Sequence, residues 1–410
     1  LTNKSKNSTA NANDVCKQIK NFNEGRIPEL LRLKYKAMRA NSFGFFRGSC
    51  HLFYADYAAS QKIIDPTRAW ICGDLHLENF GTFKGDNRAV YFDMNDFDEA
   101  ILAPCTWEIA RTLTSIYLAA STSGFSAKKA ALLCDSFIET YSKTLASGKA
   151  GSVEKATVRG IIKKFLLALQ KRKREVFIQS RTVVKKGKIR LNIDHRHALP
   201  ISPAMRIKLT NFIDNWRSTR PDRKFFKVLD VAVRIAGTGS LGVERYVILV
   251  WGNGPGQHYL LDLKTASPSC LTPYIKIKQP KWHSEAERIT EVQKRVEAMP
   301  PALLSDVKFN GHSFILKELQ PTQDKMRLAV YDGKWKKLNE VICTMARIAA
   351  WGHIRSGGRQ GSSIADEFID FSKQPLWKKQ LLDFASTYKD KVQQDYENYC
   401  KAYDEGYFKV

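Results

Sequence analysis

Apolar residues along the chain follow two alternating periods. Ala69-Trp70-Ile71-Cys72 and Ala89-Val90-Tyr91-Phe92 are short β-prone runs among tight loops, whereas Thr106 to Ala120 and Ala127 to Leu145 carry apolar positions at helical spacing. From Phe225 to Thr265 the pattern returns to strands. Tyr246-Val247-Ile248-Leu249-Val250 and Tyr259-Leu260-Leu261-Asp262-Leu263 flank Gly252-Asn253-Gly254-Pro255-Gly256, a hairpin signal. A charged helix is predicted from Ser284 to Met299, ended by Pro300-Pro301, followed by a strand from Phe314 to Leu319. Helices over Lys337 to Trp351 and Leu376 to Tyr403 close an α+β pattern. No apolar run reaches the roughly 18 residues of a membrane span.

Charge divides the chain more sharply. The 410 residues carry a net charge of +25, and between Gly151 and Asp230 21 Lys and Arg stand against 6 Asp and Glu, a net of +15. That stretch holds Lys171-Arg172-Lys173-Arg174 and a predicted hairpin, Val183 to Arg190, and reads as a basic insert. The expected division is a disordered tail over 1–14, a helical part over 15–150 and the insert over 151–225. A β-rich part over 226–332 and C-terminal helices over 333–410 complete it. Such a balance predicts anionic partners: nucleic acid, phosphorylated small molecules or a membrane surface. Eight single cysteines without a CxxC pair, and eight histidines without metal-ligand spacing, argue against zinc and against a disulfide scaffold. A reducing, cytoplasmic setting is the expectation. Leu1 to Asn13 lacks the apolar core of a signal peptide.

Four segments carry chemistry. In Gly73-Asp74-Leu75-His76-Leu77-Glu78-Asn79, an Asp and an Asn bracket a short loop after a strand. In phosphoryl transfer such an Asp accepts the proton of the attacking hydroxyl and the Asn holds magnesium. Phe92-Asp93-Met94-Asn95-Asp96-Phe97-Asp98-Glu99-Ala100 places four acids at a strand end; Asp96 is the expected metal ligand, Asp98 a second, and Asp93 structural. Gly237-Thr238-Gly239-Ser240-Leu241-Gly242-Val243 is a G-x-G-x-x-G-x-V pattern that opens a β-run rather than a helix. It fits a loop covering nucleotide phosphates, not a dinucleotide fingerprint. Lys264, on the strand after the hairpin, is the candidate phosphate-pairing lysine, with Glu291 of the next helix as its counter-ion and Glu287 in reserve. His76 is read as organising its loop and Arg47 as half of an ion pair.

Together these segments resemble aminoglycoside phosphotransferases and other small-molecule kinases. Gly73 to Asn79 is similar to their H-G-D-L-H-x-x-N loop, with Cys72 at the usual His. Asp96-Phe97-Asp98-Glu99-Ala100 resembles their metal segment, and Thr106-Trp107-Glu108-Ile109-Ala110-Arg111 the helix that follows. The glycine loop and Lys264 come after the catalytic loop, the reverse of the kinase order, so the resemblance implies a circularly permuted, two-lobed kinase-like fold. The C-terminal helices would then pack beside the catalytic loop. Leu316 to Leu319, with Lys317, would form the hinge that meets adenine. From about Leu33 to Tyr403 the chain resembles a bacterial family, the domain of unknown function 2252. Phe43-Gly44-Phe45-Phe46-Arg47-Gly48 and Trp351-Gly352-His353-Ile354-Arg355-Ser356-Gly357 are among the matching segments.

The expected function is an ATP- and magnesium-dependent phosphotransferase acting on a hydroxyl, of a small molecule rather than a protein. Asp74 would be the base. Asn79, Asp96 and Asp98 would hold the metal. Gly237, Gly239, Ser240, Gly242, Lys264, Glu291, Lys317 and Leu319 would bind the nucleotide. The alternatives are AMP transfer at the same site, or an inactive kinase-like module that binds nucleotide or polyanions such as nucleic acid through the insert.

Overall fold

The structure is a computed structural model that describes residues 14–60, 63–156, 158–218, 220, 224–252, 254, 257–320 and 335–410. Of the expected disordered tail over 1–14, residues 1–13 lie outside the described residues and Asp14 begins a helix; part of the 252–256 turn and the boundary at 332 also lie outside them. The fold mixes helix and sheet, as an α+β chain does.

Its largest sheet has six antiparallel strands in the order β11-β12-β10-β9-β8-β7. They are β7 (Ala198–Leu199), β8 (Val228–Arg234), β9 (Arg245–Val250), β10 (Tyr259–Thr265), β11 (Ser305–Phe309) and β12 (His312–Glu318). The period of two decides which side chain goes where. Tyr246, Ile248 and Val250, Leu261 and Leu263, and Phe314 and Leu316 share one face, packed against Leu209 and Ile213 of α9 (Pro203–Ser218). On the opposite face, Val247, Leu249 and Leu260 pack against Ile178, Leu191 and Ala198 of the basic segment. Arg245, Asp262, Lys264 and Lys317 fall on that same face by alternation, nearer the cleft. Helix α10 (Glu285–Val296) lies between β10 and β11 in sequence, is capped by Ser284 and ends before Pro300-Pro301.

Two small ribbons carry the catalytic-loop region. β1 (Ala69–Ile71) pairs with β4 (Ile101–Ala103), and β2 (Phe80–Lys84) with β3 (Val90–Met94). Behind them α5 (Thr106–Thr122) is buried on every side from Thr106 to Ala120. Thr112 and Thr114 satisfy their hydroxyls on carbonyls one turn back, which lets polar side chains sit inside. Packed around it are α3 (Ser42–Gly48), α6 (Ala127–Ala146) and the C-terminal α13 (Leu376–Asp404), while α11 (Trp335–Ser356) packs on α6. Glycines make 43–48 look like a turn, yet α3 is helical. A Cβ at Gly44 or Gly48 would run into Ala37 or Met38 of α2 (Pro28–Arg39), so these glycines allow close helix packing. The basic segment forms α7 (Gly160–Lys171), α8 (Arg174–Gln179) and the hairpin β5 (Thr182–Lys185) to β6 (Lys188–Leu191). Lys186 and Gly187 both take positive φ at its turn, as a two-residue hairpin requires. No described helix is long and apolar enough to cross a membrane.

Candidate functional site

A cleft of about 470 Å³ opens between the six-stranded sheet and the two ribbons. One wall comes from the loops after β1 and β3 and carries Asp74, Asn79, Asp96 and Asp98; the other carries Lys264 and the Gly237–Gly242 loop.

The loop after β1 is held from behind. Gly73 has a φ of +86°, and a Cβ there would collide with the Glu99 carbonyl, so only glycine lets the two loops approach. Glu108 on α5 accepts hydrogen bonds from the amides of Cys72 (2.8 Å) and Gly73 (3.3 Å) through Oε2. Its Oε1 lies 2.6 Å from Nε2 of His353 on α11, whose Nδ1 lies 2.8 Å from the Tyr141 hydroxyl. With Nε2 donating to the carboxylate, Nδ1 accepts from the tyrosine, so one tautomer satisfies the buried chain. The C-terminal helix α11 thereby reaches the loop. Oδ1 of Asp74 accepts a hydrogen bond from Nε of Arg111 at 2.6 Å. That guanidinium is fully buried, stacks on Phe46 at 4.1 Å and donates to the Phe46 carbonyl. Asp74 lines the cleft beneath the glycine loop, its Oδ2 facing Gly239. The Asn79 side chain donates to the Asp74 backbone carbonyl, and the Asn79 backbone carbonyl accepts from the Asn95 amide, tying the two loops together. Arg47 pairs with Glu78 at 2.6 Å. The His76 Nδ1 accepts from the Glu78 amide.

In the second loop Asp93 is turned away from the cleft: its oxygens accept the Met94 and Ala298 amides. Asp98 is ion-paired with Lys264, whose ammonium also lies 3.9 Å from Asp96. Burial raises the Asp98 carboxyl above its ordinary value, reinforced by the charge of Asp96 and opposed by Lys264. Among the described residues no group of three or more His, Cys, Asp or Glu is set to hold a metal. Two carboxylates beside an Asn amide do fit magnesium carried in with phosphates, which takes one or two carboxylates and completes its shell elsewhere.

The glycine loop is fastened from outside. The guanidinium of Arg26 donates to the carbonyls of Gly239 (2.8 Å) and Leu241 (2.7 Å), the Lys34 ammonium to Gly239 (2.8 Å), and the Ile27 amide to Gly242 (2.8 Å). Gly237 and Gly242 have φ of +77° and +97°. Lys34 is buried, which drives its ammonium well below the usual lysine range, with the Arg26 charge adding to the effect.

Beside the cleft, and sharing Asp96 and Gly237 with it, lies a smaller pocket of about 160 Å³. Lys317 and Leu319 line it, as do Arg234, Arg245, Asp262 and Glu297. Arg245 holds Asp262 in a bidentate pair at 2.9 and 2.6 Å, and Arg234 bonds the same carboxylate. These two guanidiniums outweigh burial and keep the Asp262 carboxyl far below its ordinary value.

The expected site residues Asp74, Asn79, Asp96, Asp98, Gly237, Gly239, Ser240, Gly242 and Lys264 therefore share the cleft, and Lys317 and Leu319 its annexe. Glu291 does not join them. It pairs with Lys294 and Arg295 on its own helix, because α10 turns Ile289, Val292 and Val296 inward and leaves 291 outside. Glu287 accepts the His283 amide at the helix start. From α10, Arg288 instead clamps the carbonyls of Asp98 and Ala100, and Glu297 just past the helix faces the annexe. Arg111 had a readable signal, a charge three residues after Glu108 in an otherwise apolar helix. Arg26 and Lys34 had none.

A family model described as "Uncharacterized protein conserved in bacteria (DUF2252)" matches residues 26–402. No curated protein and no solved structure matches the chain.

Proposed function

The chain belongs to this bacterial family, and within it we propose a magnesium- and ATP-dependent phosphotransferase on a two-lobed, kinase-like fold of circularly permuted order. One observation carries the reading: Lys264 pairs with Asp98 across 166 residues of sequence, under a glycine loop and opposite Asp74 and Asn79. Within the sheet-bearing part, the elements also follow one another in the order of a kinase nucleotide-binding lobe. A glycine loop joins β8 to β9, the lysine follows on β10, then a helix, then the strand β12 that ends at the annexe.

Catalysis of this class is positioning plus electrostatics. Gly237, Gly239 and Gly242 let backbone approach the phosphates, and Ser240 adds a hydroxyl. Lys264 exchanges Asp98 for phosphate oxygens. Asn79, Asp96 and Asp98 would hold magnesium, which would neutralise charge on the transferred group. Asp74 is kept in place by Arg111 and offers its other oxygen to the acceptor hydroxyl, taking its proton as the new O–P bond to the γ-phosphoryl group forms and the bond from that phosphorus to the leaving ADP oxygen breaks. The test is calorimetry of ATP with and without magnesium, on wild type and Asp96→Ala. Magnesium-dependent binding that the substitution removes is expected; a folded wild type that binds no nucleotide would overturn the reading.

One observation favours a second reading. The annexe, where an adenine would rest, holds Arg234, Arg245 and Lys317 among the acids Asp96, Asp262, Glu297 and Glu318. A base can stack on a guanidinium, but the same three cations equally suit a triphosphate tail. A nucleotide so reversed presents its α-phosphorus to Asp74, and the product becomes an AMP ester with pyrophosphate released. Release of ADP supports the first reading and pyrophosphate the second.

A further inference from the structure

Away from the cleft, three stretches of chain converge on a groove of about 300 Å³ at the outer end of β12. Lys84 and Arg88 come from the β2–β3 ribbon, and Arg172, Lys173 and Arg174 from the junction of α7 and α8. Among the described residues that line it Glu318 is the only acid, and Arg88 already holds it at 2.6 Å. The described lining thus sets five cations against one acid, far from the interspersed signs of an ordinary protein surface.

These cations stand on a built frame. The Gln320 side chain accepts from the Lys84 amide at 2.6 Å and donates to the Lys84 carbonyl at 2.7 Å, pinning that ribbon to the end of β12. The Arg174 guanidinium lies 4.1 Å from the centre of the Tyr259 ring and bonds its hydroxyl. Held over the ring with one nitrogen on the hydroxyl, this guanidinium has its remaining N–H donors for phosphate oxygens, which Arg can grip in pairs. Like charges crowded this way repel one another unless an anion intervenes.

We propose that this groove binds an oligophosphate, a ligand bearing two or more adjacent phosphate groups, at a site separate from the catalytic cleft. A single nucleic-acid strand is disfavoured because it needs open aromatic faces for its bases, whereas Arg174 stands over Tyr259 and Arg181 over Phe177, the two aromatic rings of the described lining. The site stands whether or not the cleft binds ATP. It shares Glu318, Leu319 and Gln320 with the annexe, so its ligand would touch the strand that ends there.

The test is calorimetry of the full chain with inorganic tripolyphosphate in EDTA at fixed ionic strength. Lys173→Glu with Arg174→Glu, and separately Lys84→Ala on the opposite wall, are expected to weaken binding at least tenfold and about threefold. Lys264→Ala in the cleft, and Lys185→Glu with Lys186→Glu on the distant hairpin, are expected to change it less than twofold. Loss of binding in Lys264→Ala would assign the ligand to the cleft and overturn the proposal. An equal loss in the hairpin variant would reduce it to net charge. No binding by wild type, or displacement by a single-stranded oligonucleotide of higher affinity, would also overturn it.

Discussion

Asp74 has one oxygen committed and one free. Arg111 takes Oδ1 from a fully buried position, so the carboxylate is aimed by packing. Asp74→Asn keeps the shape and removes the base. Turnover should fall roughly 10²- to 10⁴-fold, the usual worth of a general base, with ATP affinity nearly unchanged. Single-turnover rates with calorimetry on the same sample check both halves, and full activity would remove Asp74 from the mechanism. Glu297 makes a different prediction. Burial, and next the charge of Asp93, push its carboxyl well above the ordinary glutamate value, and its Oε2 has no hydrogen-bond partner among the described residues. The folded state therefore holds this proton more tightly than the unfolded one. The stability it contributes is complete below the ordinary glutamate range and is lost as pH rises through the folded value. Glu297→Gln cannot titrate, so its urea midpoint should pull ahead of wild type as pH rises. A gap that does not change with pH would refute this.

At the scale of elements, the glycine loop is held by a buried lysine that has no carboxylate within hydrogen-bonding distance among the described residues. Lys34→Met removes a cation that is costly to bury and one hydrogen bond to Gly239. Global stability should hold or rise, while amides of 237–243 exchange roughly 10- to 100-fold faster, the worth of a hydrogen bond from a charged donor. Hydrogen exchange read by mass spectrometry checks this, and unchanged loop exchange would show that Arg26 alone fastens it. The loop itself was legible from its glycines and the β-run after it, as were β9, β10, α5 and α13 from their periods. Its fastening was not, because Arg26 and Lys34 act on backbone carbonyls, which leave no mark in a motif. Glu291 shows the same limit. A helix rich in acids offers several candidates at one spacing, and only packing of Ile289, Val292 and Val296 decides which faces in. Likewise 43–48 reads as a turn until α2 supplies the surface its glycines fit.

At the scale of the whole molecule, the two ends of the described chain meet. The Tyr399 hydroxyl donates to the Tyr35 carbonyl, Tyr396 to that of Arg39, and Arg32 to Val410. The Lys20 ammonium stands 5.0 Å from the Tyr407 ring, and Phe408 packs on Tyr35 at 4.8 Å. The order of motifs along the chain is thus independent of their arrangement in space, since contacts and not connectivity hold α2 and α13 together. A chain in which a short Gly-Ser linker joins residue 410 to residue 14, reopened between α9 and β8, would carry the glycine loop and Lys264 ahead of Asp74. It breaks no hydrogen bond of the sheet, because β7 and β8 pair through their strands rather than through the loop. Domains whose termini lie close tolerate such rearrangement. It should fold with the same circular dichroism, unfold in one cooperative step and bind magnesium-ATP within a fewfold of the parent. A chain that folds but loses the nucleotide would tie binding to the native order, and the permuted-kinase reading would fall with it.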